Sequence, residues 1–232
     1  HTQTAGCSLT AQQPENNIVR VALQGLSAVL GGTQSLHTNS MDETLALPSD
    51  KAALIALRTQ QVIAEETGVI NTVDPLGGSY FIEALTDKIE ADALAYLDEI
   101  ERRGGVIEAI EDGFFQREIA AASTRYQEEV ERGERKIVGV NAYEMEEHGP
   151  SIPILYIDES VEQEQVAFVK KVRAERDAAA VTTALRNLKE VAAGSGNTMY
   201  PILDAVRAYA SVGEICDALR ELWGEYTEPP LI

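Results

Sequence analysis

The chain has 232 residues, enough for one large domain or two small ones. Its formal net charge of −19, from 38 acidic and 19 basic residues, argues against a nucleic-acid surface, because phosphate contacts need clustered Lys and Arg. Cys7 and Cys216 are its only cysteines, and no apolar run approaches the length of a membrane span. We therefore expect a cytoplasmic protein without a disulfide framework and without a nucleic-acid or membrane partner.

The opening residues predict two β/α units. Residues 1–4 resemble the polar end of a strand that is already under way, so we interpret the chain as a fragment. A helix with apolar residues at helical spacing follows, and Asn16 or Asn17 is a suitable N-cap for it. Gly31 and Gly32 are expected to end this helix, since glycine accepts the left-handed conformation of a C-cap.

Residues 33–39 predict a short parallel strand of unusual composition. A strand between two helices has both faces covered and normally consists of Val, Ile and Leu. Here Leu36 is the single aliphatic residue. Such a conflict between position and composition is expected at functional sites. His37 on this strand is either a buried histidine bonded to the protein or a side chain that faces a ligand.

A pair of carboxylates, Asp42 and Glu43, follows this strand directly. In a β/α barrel, functional groups gather at the carboxyl ends of the strands, so Glu43 could accept hydrogen bonds from a ligand amide. Alternatively, it is an acid near a helix N-terminus, favoured by the helix dipole. Sequence alone leaves the two interpretations open.

The remaining elements are predicted as helices with few exceptions. The second β/α unit continues into a helix that starts near Ser49 and ends at Gly68, with a buried stripe of Leu54, Ile55, Val62 and Ile63. We predict a β/α region over residues 1–72 and a mostly helical region over residues 73–232, with one or two short strands, such as residues 137–140. Pro201 suits the first turn of a helix, and Ser211 and Glu214 have capping-box spacing.

No metal centre or nucleophile is predicted. The histidines His1, His37 and His148 do not stand at zinc-ligand spacing from another His or Cys. Cys7 has no adjacent base in the sequence. We interpret Cys7 as a small packing residue rather than a reactive thiol.

Six segments resemble, in chain order, consecutive signatures of the methylmalonyl-CoA mutase family. They are residues 1–10, 32–39, 42–48, 73–80, 138–141 and 212–219. The resemblance covers essentially the whole chain. It implies an α/β fold that comprises the last part of a TIM (β/α)8 barrel with a polar interior, followed by a mostly helical C-terminal region.

The resemblance also implies an activity. Family members are adenosylcobalamin-dependent isomerases of acyl-CoA thioesters that use radical chemistry, and the protein binds, orients and shields the reacting groups. The implied substrate is methylmalonyl-CoA, interconverted with succinyl-CoA. Isobutyryl-CoA and 2-hydroxyisobutyryl-CoA are the alternatives. A non-catalytic helical interaction or assembly module is the competing class.

Site residues follow from the resemblance position by position. The positions that match cofactor contacts are Gln3, Gly6, Cys7, Glu43 and Ala46, and those assigned to the substrate chamber are Gln34, His37 and Asn39. The principal substrate-positioning residues of the family lie on earlier barrel strands. No catalytic residue is therefore named.

Two departures from the family pattern bear on partners. Many relatives that use methylmalonyl-CoA carry Trp where Cys7 stands, and a small residue there resembles stand-alone large subunits. The Asp-x-His-x-x-Gly signature that supplies the lower histidine ligand of cobalt is missing, and residues 146–149 do not fit it. The resemblance then implies a separate small cobalamin-binding subunit, in a dimer or heterotetramer.

Overall fold

A computed structural model describes residues 1–146 and 152–228. The chain divides into two compact units, the first running to Leu155 and the second starting at Tyr156. The described part is mostly helical, with one small parallel sheet in the first unit. Among the described residues, no helix is both long and apolar enough to cross a bilayer. His148 lies outside the described residues.

The sheet consists of two parallel strands joined by a helix. Strand β1 (Thr2–Gln3) pairs with β2 (Leu36–His37), and helix α1 (Asn16–Leu30) connects them. This confirms the predicted parallel pairing, but the predicted strand over residues 33–39 is too long. Thr33 instead forms a turn, because its amide donates to the Ala28 carbonyl at 3.1 Å and its hydroxyl to the Ser35 carbonyl at 3.0 Å.

The N-terminus of α1 differs from the prediction. Glu15 is the N-cap, and no side chain caps the helix there. Asn16 is the first helical residue, and Asn17 is fully buried inside the first turn. Asn17 does not cap because its side chain is engaged by other segments of the chain.

Helix α2 (Asp50–Glu66) begins where the sequence predicts. Its N-cap Ser49 accepts a hydrogen bond from the amide of Ala52. The predicted stripe is partly wrong, since Leu54 is 50% exposed and Val62 is 46% exposed. The buried face carries small residues as well as Ile63, and small residues let α2 lie close to α1 and β2. A core cluster of Met41, Ala52, Ile152, Ile18 and Ile55 lies on this face.

Three further helices complete the first unit. They are α3 (Tyr80–Arg102), α4 (Val106–Glu111) and α5 (Phe114–Glu131). Buried Phe114 anchors them, with the Tyr96 ring 6.3 Å away and the Arg103 guanidinium 4.1 Å above its ring. The short helix α4 was not predicted.

The predicted strand at residues 137–140 is wrong. Gly139 has a φ of 81°, and its amide bonds to the carbonyl of Ala142 at 2.7 Å, so the chain turns there. Asn141 holds the turn, since its Oδ1 accepts from the Ile137 amide and its Nδ2 donates to the carbonyls of Val130 and Arg135. A tight turn leaves no room for a regular strand.

The second unit contains four helices with an apolar core. They are α6 (Glu159–Glu175), α7 (Ala178–Ala192), α8 (Met199–Arg207) and α9 (Val212–Trp223). Leu188, Ala205, Ile215 and Ala218 form the core. Pro201 lies in the first turn of α8, and Ser211 forms a capping box with Glu214, as predicted.

Candidate functional site

The carboxyl ends of β1 and β2 lie side by side and carry two loops. The first strand-end loop, residues 4–15, connects β1 to α1, and the second, residues 38–49, connects β2 to α2. Among the described residues, the buried polar ones all lie in or directly beside these loops: Thr4, Asn17, Thr38, Asn39, Ser40 and Asp42. Burying polar groups is costly unless each finds a partner, so this concentration marks the loops as a specialised region.

Asn39 is the centre of the first part of this network. Its Oδ1 accepts from the Thr4 hydroxyl at 3.0 Å and from Gln3 Nε2 at 3.4 Å. Its Nδ2 donates to Glu43 Oε1 at 2.7 Å, and its backbone amide donates to the Thr4 hydroxyl at 2.9 Å. Asn39 is only 2% exposed, whereas Gln3 and Glu43 are exposed. Asn39 therefore fixes two exposed polar side chains from beneath.

Gly6 lets the two loops approach each other closely. A Cβ atom at Gly6 would lie 2.7 Å from Asn39 Nδ2 and 2.9 Å from Glu43 Oε1. Both distances are shorter than real Cβ contacts, so any side chain here would displace the Asn39–Glu43 pair. Glycine is required at this position by close approach rather than by backbone conformation.

Asp42 organises the second strand-end loop from inside. It is fully buried, and its Oδ2 accepts from the amide and the hydroxyl of Ser49, each at 2.9 Å. Burial alone would raise the pKa of Asp42, but the hydrogen bonds from Ser49 and Ser40 outweigh it and lower that pKa below its ordinary value. The Asp42 carbonyl also accepts from the amides of Leu45 and Ala46. The acid in the first turn of α2 is Asp50, and Asp42 accepts from the N-cap Ser49, so the alternative interpretation of Glu43 as the helix N-terminal acid is wrong.

Ser40 is a second buried polar residue of this loop. A hydrogen bond from its side chain also lowers the pKa of Asp42. The buried polar groups of this loop therefore satisfy one another within the protein.

The structure brings together four of the residues that the sequence singles out: Gln3, Gly6, Asn39 and Glu43. Cys7 lies one residue further on, in a short 3-10 helix (Gly6–Ser8), and is exposed, so its interpretation as a packing residue is wrong. Ala46 is partly buried.

The remaining chamber residues do not join this group. Gln34 is exposed in the bend that precedes β2, at the opposite end of the strand from Asn39. His37 lies on β2 and is exposed, so the buried-histidine interpretation is wrong. A role for either residue toward a substrate stays a prediction.

Sequence reasoning missed the buried residues that support the site. Asn17 and Thr4 are the clearest cases, and neither was assigned a role in it. The available signal was a polar side chain at position 17 among the apolar residues that mark the inner face of α1, such as Ile18 and Val21. Asn17 was instead interpreted as an N-cap, because Asn favours that position.

The two loops present small residues beside polar ones. Gly6 and Ala46 are partly buried and Cys7 is exposed, and Gln3 and Glu43 offer an exposed amide and an exposed carboxylate. Asn39 holds both polar groups in fixed positions. The polar groups of Gln3, Asn39 and Glu43 are amides and a carboxylate, and none of these three side chains is cationic.

Comparison with known proteins gives a consistent result over the whole chain. The family model described as methylmalonyl-CoA mutase matches residues 1–225. A methylmalonyl-CoA mutase of Rhizobium meliloti is 48% identical over 99% of this chain and 32% of its own length. The large subunit of the 2-hydroxyisobutanoyl-CoA mutase of Aquincola tertiaricarbonis is 44% identical over 100% of this chain and 41% of its own.

The human mitochondrial methylmalonyl-CoA mutase is 45% identical over 97% of this chain and 30% of its own length. The chain thus spans between 30% and 41% of the length of these relatives. The family match covers nearly all of this chain and includes both strand-end loops. The chain belongs to the methylmalonyl-CoA mutase family.

Proposed function

We propose that this chain is part of the large subunit of an adenosylcobalamin-dependent acyl-CoA mutase. In this proposal residues 1–72 form the final β/α units of a TIM barrel, and residues 73–232 form the helical C-terminal region. The supporting observation is the parallel pair β1 and β2, joined by α1, whose carboxyl ends carry the polar loops. TIM-barrel enzymes place their active sites at this end of the strands.

The two strand-end loops are proposed to contact the cofactor. Gln3 and Glu43 would hydrogen-bond the polar periphery of the corrin, and Gly6, Cys7 and Ala46 would lie against its flat surface. The exposure of Gln3, Cys7 and Glu43, the small size of Gly6 and Ala46, and the way Asn39 holds Gln3 and Glu43 in place support this role. The bound cofactor would supply the radical chemistry that moves the thioester-bearing group to the neighbouring carbon.

The chain's own residues would position the cofactor and shield the reacting groups. Asn39 would keep Glu43 from rotating away, and Gly6 would allow the first loop to lie directly against that carboxylate. Gln34 and His37 would face the substrate from the barrel side. None of these residues is assigned a bond-making step.

The proposed partners follow from the same family pattern. A separate small subunit would supply the histidine below the cobalt, and the assembly would be a dimer or heterotetramer. The Aquincola relative is a large subunit, which supports a multi-subunit arrangement. The 232-residue chain alone would hold about a quarter of an eight-unit barrel, so we expect no turnover from it.

The proposed reaction is the interconversion of methylmalonyl-CoA and succinyl-CoA. The similar identities of 48% and 44% to relatives with different substrates do not separate this from 2-hydroxyisobutyryl-CoA, and isobutyryl-CoA stays as a further alternative. Turnover of all three thioesters by the complete holoenzyme decides among them. The highest turnover with another thioester would correct the substrate and leave the mutase assignment in place.

The cofactor assignment has its own test. In the complete protein, Glu43→Ala and Gln3→Ala should weaken adenosylcobalamin binding by about 1–3 kcal/mol, the cost of leaving a hydrogen-bonding group unpaired. Affinity is measured by titrating the visible spectrum of the cofactor. Glu65→Ala and Gln61→Ala, on the exposed part of α2, are matched controls. Unchanged affinity in both site variants would contradict the assignment and favour a non-catalytic interaction module.

A further inference from the structure

Asn17 uses its complete hydrogen-bonding capacity to connect the two strand-end loops. Its Nδ2 donates to the carbonyls of Thr10 and Met41, each at 2.9 Å. Its Oδ1 accepts from the Thr10 amide at 3.1 Å and from Arg20 Nη1 at 2.7 Å. An amide side chain has two donor hydrogens and two acceptor lone pairs, so no capacity is left for a ligand.

The segments that Asn17 joins are those that carry the proposed cofactor contacts. Thr10 follows the 3-10 helix that contains Cys7, and Met41 comes two residues before Glu43. Asn17 binds Thr10 through both backbone groups, as a neighbouring strand would, and reaches Met41 with its second N–H. One rigid side chain on α1 thus sets the distance between the first loop and the second.

A second cross-link lies nearer the strands. Asn39 bonds to Thr4 and Gln3, so the loops are joined there as well. Gly6 lies between Thr4 and Thr10 on the first loop, and a Cβ atom there would lie 2.9 Å from Glu43 Oε1 on the second loop. Two cross-links restrict the relative movement of the loops more than one would, because a single cross-link leaves a pivot.

Arg20 supports this arrangement from the side. Its Nη1 donates to both Asn17 Oδ1 and the Thr10 hydroxyl, and its Nη2 donates to the carbonyl of Val138 at 2.8 Å. Charge-assisted hydrogen bonds are stronger than neutral ones, so they hold the Asn17 amide in one orientation. That orientation directs both N–H groups toward the carbonyls of Thr10 and Met41.

We infer that Asn17 is a positioning residue, which sets the spacing of the two strand-end loops and so the affinity for the corrin. This inference rests on the proposed function. Asn17 is fully buried, so it acts without touching the ligand. Its substitution should weaken cofactor binding beyond what a comparable loss of stability would cause.

The test compares a change at the loops with a change in the core of the second unit, both in the full-length protein. Asn17→Asp removes two N–H donors to backbone carbonyls and keeps the size and the acceptor oxygens. Leu188→Ala lowers stability in the second unit without touching either loop. Thermal unfolding measures the cost of each change to stability. Titration with adenosylcobalamin, with the small subunit present, measures affinity.

We expect Asn17→Asp to weaken cofactor affinity by about tenfold or more, the consequence of leaving two buried carbonyls unpaired. Leu188→Ala should lower stability and leave affinity within about twofold. Without cofactor, Asn17→Asp should also speed hydrogen exchange at the amides of Thr10, Leu45 and Ala46 together. Equal affinity in Asn17→Asp and wild type, or equal losses of affinity in both variants, would overturn the inference.

Arg20→Met covers the case in which Asn17→Asp does not fold. This change loses the bonds to Asn17 and Thr10 at a partly buried position and should weaken affinity in the same direction by a smaller factor. Unchanged affinity in Arg20→Met would count against the inference. Absence of cobalamin binding by the wild-type protein would instead overturn the proposed function, and the exchange experiment would still report whether Asn17 couples the loops.

Discussion

The strand-end region and the bundle of α7, α8 and α9 solve the problem of burial in opposite ways. The bundle buries Leu188, Ala205, Ile215 and Ala218, and its charged groups are exposed or, like Glu214, only partly buried. The strand-end region buries Asn17, Asn39 and Asp42 and bonds them to backbone and side-chain groups of both loops.

This difference separates stability from positioning. Apolar burial is non-directional, so it stabilises a bundle without fixing every atom. Buried hydrogen bonds contribute little net free energy, but breaking one is costly, and each holds its partners at a set distance and angle. A buried polar network is therefore expected where geometry matters, which for this chain is the edge that carries Gln3, Gly6 and Glu43.

The largest expected effect lies in the bundle. Leu188 is fully buried, so Leu188→Ala should destabilise the second unit by about 2–5 kcal/mol, through lost transfer free energy and the cavity it leaves. Hydrogen exchange of the α7 amides measures this loss. Val206→Ala, at a position 54% exposed, is the control and should cost much less. Cofactor affinity should not change, and a large loss of affinity in Leu188→Ala would break the proposed separation.

Substitution of Asp42 should change stability less than Leu188→Ala does, and it should also weaken cofactor binding. Asp42→Ala leaves the amide and hydroxyl of Ser49 without their acceptor, which should cost about 1–3 kcal/mol. The second strand-end loop should loosen, and adenosylcobalamin affinity should fall. Ser49→Ala removes only the hydroxyl and is expected to have the weaker effect. If Asp42→Ala lowered stability and left affinity intact, Asp42 would be a structural residue only.

Gly6 tests the contact between the loops with little effect on overall stability. In Gly6→Ala the new methyl group would lie within 3 Å of the Asn39 and Glu43 side chains, so their hydrogen bond must break or shift. We expect about tenfold weaker cofactor binding, comparable to losing one hydrogen bond. Gly213→Ala, with no heavy atom within 4 Å of the added Cβ, is the control. Unchanged affinity in Gly6→Ala would mean that the loops tolerate separation.

Local signals predicted the helices well. Ser49, Pro201 and the Ser211–Glu214 pair act on neighbouring residues, so their positions could be inferred from spacing alone. The errors concern elements decided by distant contacts. Asn17 became a bridge rather than a cap because Met41, 24 residues away, supplies a carbonyl for it.

The candidate site shows the same limit. The polar composition of residues 33–39 correctly marked the end of β2 as unusual, and the family resemblance supplied Gln3, Gly6 and Glu43. Sequence did not reveal that Asn39 connects them, because its partner Thr4 is 35 residues away. Sequence also did not show that Gln34 and Asn39 lie at opposite ends of β2, because the predicted strand was too long and included both residues.

The smallest effect is expected from the ion pair in the second unit, and it should depend on pH. The Arg176 guanidinium bonds to the Glu214 carboxylate and, with the amide and hydroxyl of Ser211, holds the pKa of Glu214 well below its ordinary value of 4.5. Because the folded pKa is depressed, this carboxylate contributes stability that is fully present above its unfolded pKa. That contribution is lost as the pH falls from about 4.5 toward the folded pKa.

Glu214→Gln keeps the shape of the side chain and removes the charge that titrates. At neutral pH it should cost the second unit about 1 kcal/mol, the difference between a charge-assisted and a neutral hydrogen bond. The cost should shrink as the pH falls below 4.5, since the wild-type protein then loses the same contribution. Hydrogen exchange of the α9 amides at several pH values measures both trends. A cost that stays constant down to low pH would show that the charge on Glu214 does not stabilise the bundle. A parallel change in cofactor affinity would show that the bundle also positions the strand-end loops.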